Sequence, residues 1–161
     1  MLNEQQLATL KADILADPIL SQWAATGYMA SEIADAYNQA ASPEWVVWKT
    51  AVDPVEIMTN GMDWTRVDNL SVGKARIWDW LTRLGTFNAG KANIRAGIDA
   101  TWVGTAADLA VRAMVYAHSK RAANRGEKLL STGVGSTASP ATMGFEGDLT
   151  YQDVEAALQL P

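Results

Sequence analysis

Apolar residues recur three and four positions apart along most of this chain, which is the spacing of amphipathic helices. Asn3 and Gln6 have the spacing of a capping box ahead of a helix with Leu10 on its apolar face. Further helices open at a polar cap or at a Pro in the first turn. The pattern predicts five short helices in the first sixty residues, over 4–16, 18–27, 32–39, 43–51 and 54–60.

Three longer helices are predicted in the middle of the chain. A helix over 71–84 has one apolar face, formed by Ile77, Trp80, Leu81 and Leu84. A second is predicted over 88–102. The strongest pattern runs from Thr105 to Leu130 and predicts one long helix in which apolar positions alternate with Arg112, Lys120, Arg121, Arg125 and Lys128.

The composition changes after residue 130. Residues 131–144 are uncharged and consist mostly of Gly, Ser, Thr and Ala, so they bury little and indicate an extended arm. Phe145 and Leu149 favour a short strand, and Thr150 with Asp153 predicts the cap of a last short helix. The chain is therefore predicted to be mainly α, a multi-helix bundle over 1–130 with an extended C-terminal arm over 131–161.

Composition restricts the chemistry that this chain can carry out. It has 161 residues, no Cys and a single His, which excludes thiolate catalysis and iron–sulfur clusters and argues against a metal centre. No uncharged apolar stretch is long enough to span a membrane, and the N-terminus lacks the pattern of a signal peptide. Carboxylate pairs such as Glu32 with Asp35 are explained by helix capping. We predict a soluble protein that is not an enzyme, with no cofactor and no metal.

Charge is distributed in three blocks along the sequence. Residues 1–70 carry a net charge of −7, residues 71–128 carry +6 and residues 129–161 carry −4, which together give −5. Blocks of opposite sign bear on association and on the choice of partner. The basic residues of the predicted helix over 105–130 can contact phosphates or an acidic protein surface. Equally, they can be only the solvent-exposed face of that helix.

Two further features bear on binding. Residues 31–48 have the pattern of two short helices around a corner, as in a helix-turn-helix. Their three acids, Glu32, Asp35 and Glu44, are offset by a single nearby base, Lys49, which argues against DNA binding. The seven Trp residues are expected mainly in the core. Trp78 and Trp80 lie two apart on one helix and cannot both face the same core, so one of them is an interface candidate.

Residues 121–158 resemble the C-terminal part of a family of small structural proteins from tailed-bacteriophage head modules. The resemblance lies in the order Glu-Lys-Leu, a run of small residues, Pro-Ala-Thr, Phe-Glu-Gly and Tyr-Gln-Asp-Val. The helical N-terminal part is compatible with head–tail connector, or adaptor, proteins. The matching pattern covers about a quarter of the chain.

This resemblance implies a virion protein at the head–tail junction, made in the host cytoplasm. Its implied partners are the portal protein, other copies in a ring that is commonly twelve-membered, a downstream tail or nozzle protein, and passing DNA. The arm would dock through Pro140, Met143, Phe145, Glu146, Leu149, Tyr151 and Val154. The five basic residues of the 105–130 segment would serve contacts between subunits or line the DNA channel. A DNA-binding subunit of the packaging machinery, similar to a small terminase, is the alternative.

Overall fold

A computed structural model describes residues 1–83 and 85–161 of the chain. Within these residues the protein is mainly helical: ten helices contain 56% of the residues, and there are also four short strands. None of the described helices combines the length and the apolar character needed to cross a membrane. The elements, in chain order, are α1 (Glu4–Ala16), α2 (Leu20–Thr26), α3 (Ala30–Asn38), β1 (Val46–Trp48), α4 (Pro54–Thr59), α5 (Trp64–Asp68), α6 (Val72–Arg83), α7 (Ala92–Thr101), α8 (Ala106–His118), β2 (Lys120–Ala122), α9 (Arg125–Leu129), β3 (Ser131–Thr132), β4 (Thr142–Met143) and α10 (Tyr151–Gln159).

The elements form two compact units. Residues Met1–Val46 and Ala122–Pro161 form what we call the terminal unit, and residues Val47–Arg121 form the middle unit. The chain crosses between them within β1 and β2, which pair as a two-stranded sheet. The boundary predicted at residue 130 coincides with neither crossing point.

The terminal unit is built on α1, α3 and α10. The last of these helices packs against both of the others, so the C-terminal residues complete a core begun by the first forty. The side chains of Leu10, Ile33 and Val154 are fully buried there. Both predicted capping boxes are present, at Asn3 with Gln6 and at Thr150 with Asp153.

The middle unit has its own core, centred on two of the Trp residues. The indole rings of Trp78 on α6 and Trp102 after α7 meet edge to face, with centroids 5.2 Å apart. The helices α6 and α7 pack together at Gly97, where a Cβ would make an ordinary contact of 3.5 Å with a methyl group of Leu81. Trp80 is 63% exposed, so the prediction that this pair diverges is confirmed. The prediction that Trp80 shares the apolar face with Leu81 is wrong, because Trp78 is the Trp that faces the core.

Several predicted helices differ from the structure. The segment 105–130 is divided into α8, β2 and α9, because Lys120–Ala122 pairs with β1 and Asn124 caps a new helix with Glu127 three residues later. Residues Val46–Trp48 form a strand rather than part of a helix over 43–51, which also removes the second helix of the helix-turn-helix interpretation. In the segment after residue 130, the short strands are β3 and β4 rather than the predicted strand over 145–149. Leu84, predicted at the end of the 71–84 helix, lies outside the described residues.

Candidate interaction site

A basic and aromatic cluster forms around Trp48 in the middle unit. Trp48 on β1 is half-buried, and its ring lies 5.4 Å from the ring of Tyr116 on α8. The guanidinium of Arg95 lies 5.1 Å from the centroid of the indole ring, and the ammonium of Lys120 lies 5.4 Å from it. Because both distances are within the range of cation–π attraction, the indole holds two positive charges at one place.

Asp99 and Arg112 complete this Trp48 cluster. The Tyr116 hydroxyl donates to Asp99 Oδ1 at 2.8 Å and lies 3.1 Å from the carbonyl oxygen of Arg95. Arg112 Nη1 lies 3.5 Å from the same Asp99 oxygen. Burial and, to a smaller extent, the hydrogen bond to Asp99 raise the pKa of Tyr116, so this hydroxyl stays a neutral hydrogen-bond donor.

The cluster opens onto a surface depression of about 500 Å³, lined by Asp99, Leu109, Arg112, Ala113, Tyr116 and Lys120. Three cations against one carboxylate give the cluster a positive charge. Guanidinium and ammonium groups recognise carboxylates and phosphates through charge-assisted hydrogen bonds. The arrangement therefore suits an anionic group on a partner molecule.

The basic residues singled out from the sequence are divided between the two units. Arg112 and Lys120 belong to the Trp48 cluster, and Arg121 follows them on β2. Arg125 and Lys128 lie on α9 in the terminal unit instead. The Lys128 ammonium lies 5.4 Å from the Trp45 ring centroid and 3.5 Å from the carbonyl oxygen of Pro43. One continuous basic helix face is therefore not formed.

Arg125 is paired with two carboxylates in the terminal unit. Its Nη2 lies 3.1 Å from a carboxylate oxygen of Asp13 and 3.0 Å from one of Asp17. Its guanidinium also lies 4.6 Å from the centre of the Tyr37 ring, whose hydroxyl donates to Asp13. Burial, with the hydrogen bond to Asp13, raises the pKa of Tyr37. Since two carboxylates already pair with Arg125, this residue ties α9 to α1.

The residues predicted as a docking arm fall into three groups by exposure. Pro140, Leu149 and Val154 are buried in the terminal unit, so in this conformation they do not face a partner. Met143 and Phe145 are half-buried, and Phe145 packs against the same core. Glu146 and Tyr151 are exposed.

The sequence pattern that carries the family resemblance makes internal contacts. Glu127 is buried, and its side chain accepts hydrogen bonds from the backbone N–H groups of Asn124 and Gly147. Leu149 packs directly on the backbone of Gly126, and Asp153 caps α10. Glu127, Leu149 and Asp153 therefore stabilise the fold of the terminal unit.

Four residues of the Trp48 cluster were not predicted from the sequence. These are Trp48, Arg95, Asp99 and Tyr116. The spacing of Arg95 and Asp99, and of Arg112 and Tyr116, is four residues, so each pair lies on one helix face. The run Val46–Trp48 has the β-branched and aromatic composition of a strand, which is the signal that would have predicted a strand at Trp48.

This chain matches no protein-family model, no curated protein and no solved structure with which it was compared.

Proposed function

We propose that this chain is a head–tail adaptor of a tailed bacteriophage, a virion protein that assembles in copies beneath the portal and joins capsid to tail. It would act through contacts and carry out no reaction. The observation that carries the proposal is the charge difference between its two units. The terminal unit has eleven acids against three bases, a net charge of −8, and the middle unit has seven acids against ten bases, a net charge of +3.

Opposite charges on the two folded units favour contacts in which one face of a copy meets a different face of the next copy. The acidic unit of one copy is attracted to the basic unit of the next, whereas like units repel. Such a head-to-tail contact closes into a ring when the rotation between neighbours permits it. The resemblance of residues 121–158 supports the same assignment, because it implies the portal as the partner of this ring.

Portal binding is assigned to the exposed part of the C-terminal segment. Val134 is 65% exposed and Tyr151 is 50% exposed, and both flank residues that the terminal unit holds in place. Deleting residues 131–161 would not test this assignment, because it would also remove Leu149 and Val154 from the core. Point substitutions at the two exposed side chains leave the core intact and are the better test.

The experiment is a mass measurement of the purified chain with and without the portal protein of the same phage. We expect a complex with the wild-type chain and a much weaker complex with the double variant Val134→Ser and Tyr151→Ala. Leu15→Ala is the matched control, because Leu15 is also an apolar side chain of the terminal unit and is 54% exposed. If the double variant and the control bind portal equally, these residues do not form the docking surface. A wild-type chain that forms no complex with portal contradicts the adaptor function.

The Trp48 cluster favours one other function, that of a DNA-binding packaging subunit. Arg95, Arg112 and Lys120 together can contact phosphates. This alternative predicts retardation of duplex DNA in a gel at moderate salt, lost on Arg112→Ala. The adaptor function predicts no retardation at micromolar protein.

A further inference from the structure

The exposed face of α6 has an unusual composition for a solvated helix. Val72, Arg76, Trp80 and Arg83 follow one another at intervals of four, four and three residues, so they form one stripe on the helix. Val72 is 78% exposed and Trp80 is 63% exposed, while the side chain of Arg83 is 76% exposed. The opposite face carries Trp78 and Leu81 into the core. The stripe therefore presents one indole between two guanidinium groups, of which that of Arg83 is paired with Asp79 on the same helix.

Trp and Arg are the residue types most enriched among those that dominate protein–protein binding energies. An indole gains most when it enters a pocket that excludes water, and flanking guanidinium groups add hydrogen bonds to acceptors at the rim of the pocket. Duplex DNA offers the Arg side chains phosphates but leaves the indole without a base face, since its bases are stacked. The stripe thus suits an acidic protein surface with an apolar depression.

The terminal unit has a depression of this kind. It lies between α2, the start of α3 and α10, with Trp23, Tyr28, Met29 and Leu158 in its wall and Glu155 at its edge. Tyr28 is 80% exposed and Glu155 is exposed. The wall thus combines apolar side chains with polar surface that includes the Glu155 carboxylate.

The size of the depression indicates what it can hold. Its volume is about 220 Å³. Binding sites for cofactors and drug-sized ligands usually measure roughly 300–1,000 Å³, so this one is small for such a molecule. It is of the right order for one large aromatic side chain, whose burial is the usual centre of an energetic hot spot.

We infer that Trp80 of one copy inserts into the depression between α2, α3 and α10 of a second copy, with Arg76 paired to Glu155. The charges of the two units favour this pairing, because the stripe lies on the unit of +3 and the depression on the unit of −8. The contact joins different faces of the two copies, so it can be repeated from copy to copy. This inference rests on the proposed function in one respect, that copies of this chain associate.

The test measures self-association of the full chain by sedimentation velocity, over a range of concentrations and at low and high salt. We expect reversible association that weakens with salt, and a loss of affinity of more than about tenfold on Trp80→Ser. Trp64→Ser is the matched control, because Trp64 is an exposed Trp of the same unit, at 56% exposure, outside the stripe. It should associate like the wild-type chain.

A charge exchange identifies the partner surface. Arg76→Glu and Glu155→Arg should each weaken association, and an equimolar mixture of the two variants should restore it, because each mutated side chain then meets its opposite on the other copy. Far-ultraviolet circular dichroism of each variant checks that it is folded.

Three results would overturn the inference: a wild-type chain that stays monomeric at submillimolar concentration in low salt, equal effects of Trp80→Ser and Trp64→Ser, or no restoration in the mixture. Loss of single-stranded DNA binding on Trp80→Ser, with unchanged self-association, would assign the stripe to nucleic acid instead. The portal experiment decides the proposed function separately, because a portal can recruit a copy that does not self-associate.

Discussion

Replacing Leu149 with Ala tests whether the C-terminal segment is part of the folded domain or a free arm. Leu149 is 3% exposed, and its side chain packs on the backbone of Gly126. Asn38 holds it in place from α3, because Asn38 Oδ1 accepts from the Leu149 N–H at 2.8 Å and Asn38 Nδ2 donates to the Leu149 carbonyl at 2.9 Å. With its backbone fixed on both sides, this position has little freedom to collapse around a smaller side chain.

The expected loss is large in comparison with the stability of a small domain. Leu→Ala substitutions in cores cost about 2–5 kcal/mol, and sites that cannot collapse lie in the upper part of this range. A small domain has a free energy of unfolding of about 5–15 kcal/mol, so Leu149→Ala would remove a large share of it. In a free arm the same substitution would cost nothing.

Tyr151→Ala is the control, because Tyr151 lies two residues further on and is half exposed. Substitutions at exposed positions are usually within about 0.5 kcal/mol of neutral. Urea unfolding followed by circular dichroism measures both variants, and amide hydrogen exchange in α1, α3 and α10 assigns the loss to the terminal unit. If the two variants unfold within about 0.5 kcal/mol of each other, Leu149 is not part of the core and the division of the chain into these two units is wrong.

Two other substitutions test particular contacts. A Cβ at Gly135, where φ is +69°, would lie 2.1 Å from Cδ2 of Trp45, so Gly135→Ala should destabilise the protein by at least about 2 kcal/mol in urea unfolding, whereas Val134→Ala beside it should be neutral. Hydrogen bonds from Thr105 and the guanidinium of Arg66 lower the pKa of Asp108 from 3.8 to about 2. The resulting stabilisation is fully present above about pH 4 and is lost as the pH falls through about 2, so the stability of Asp108→Asn should change less over this interval than that of the wild-type chain. Parallel stability curves would show that Asp108 does not contribute to acid unfolding.

The helices that the sequence predicted correctly are those set by local signals. Asn3 with Gln6 and Thr150 with Asp153 are capping boxes in the structure, and each contact spans only three residues. The spacing of apolar residues likewise placed α6 to within one residue at its start. Such features depend on short stretches of chain, so one sequence contains the information.

The two largest differences arise where distant residues pair. Residues 120–122 follow α8 with a helical pattern, yet they pair with β1, more than seventy residues earlier in the chain. A contact over that distance leaves little trace in the local pattern of either segment, and it overrides modest helix propensities. The spacing of Asn124 and Glu127 was the available sign that a new helix begins after β2.

The uncharged segment after residue 130 shows the same effect in the opposite direction. Its composition buries little, which favours an extended arm, but its backbone finds partners in the terminal unit. Val46 donates to the Gly135 carbonyl at 2.8 Å, and Ala141 donates to the Val46 carbonyl at 2.9 Å. Backbone hydrogen bonds need no particular side chains, so composition could not indicate them.

The family resemblance and the proposed contact stripe on α6 come from different parts of the molecule. Glu127, Gly147 and Leu149, which belong to the resembling segment, make contacts inside the terminal unit, so a likeness in this pattern bears first on how that unit folds. Exposed side chains proposed for partners lie both in that segment, at Val134, Tyr151 and Glu155, and outside it, in the Trp48 cluster and on the exposed face of α6. A protein that kept the pattern but replaced Trp80 and Arg76 would then share the fold of the terminal unit and lose the contact between copies. Substitutions at these two positions, which lie outside the resembling segment, therefore separate folding from assembly.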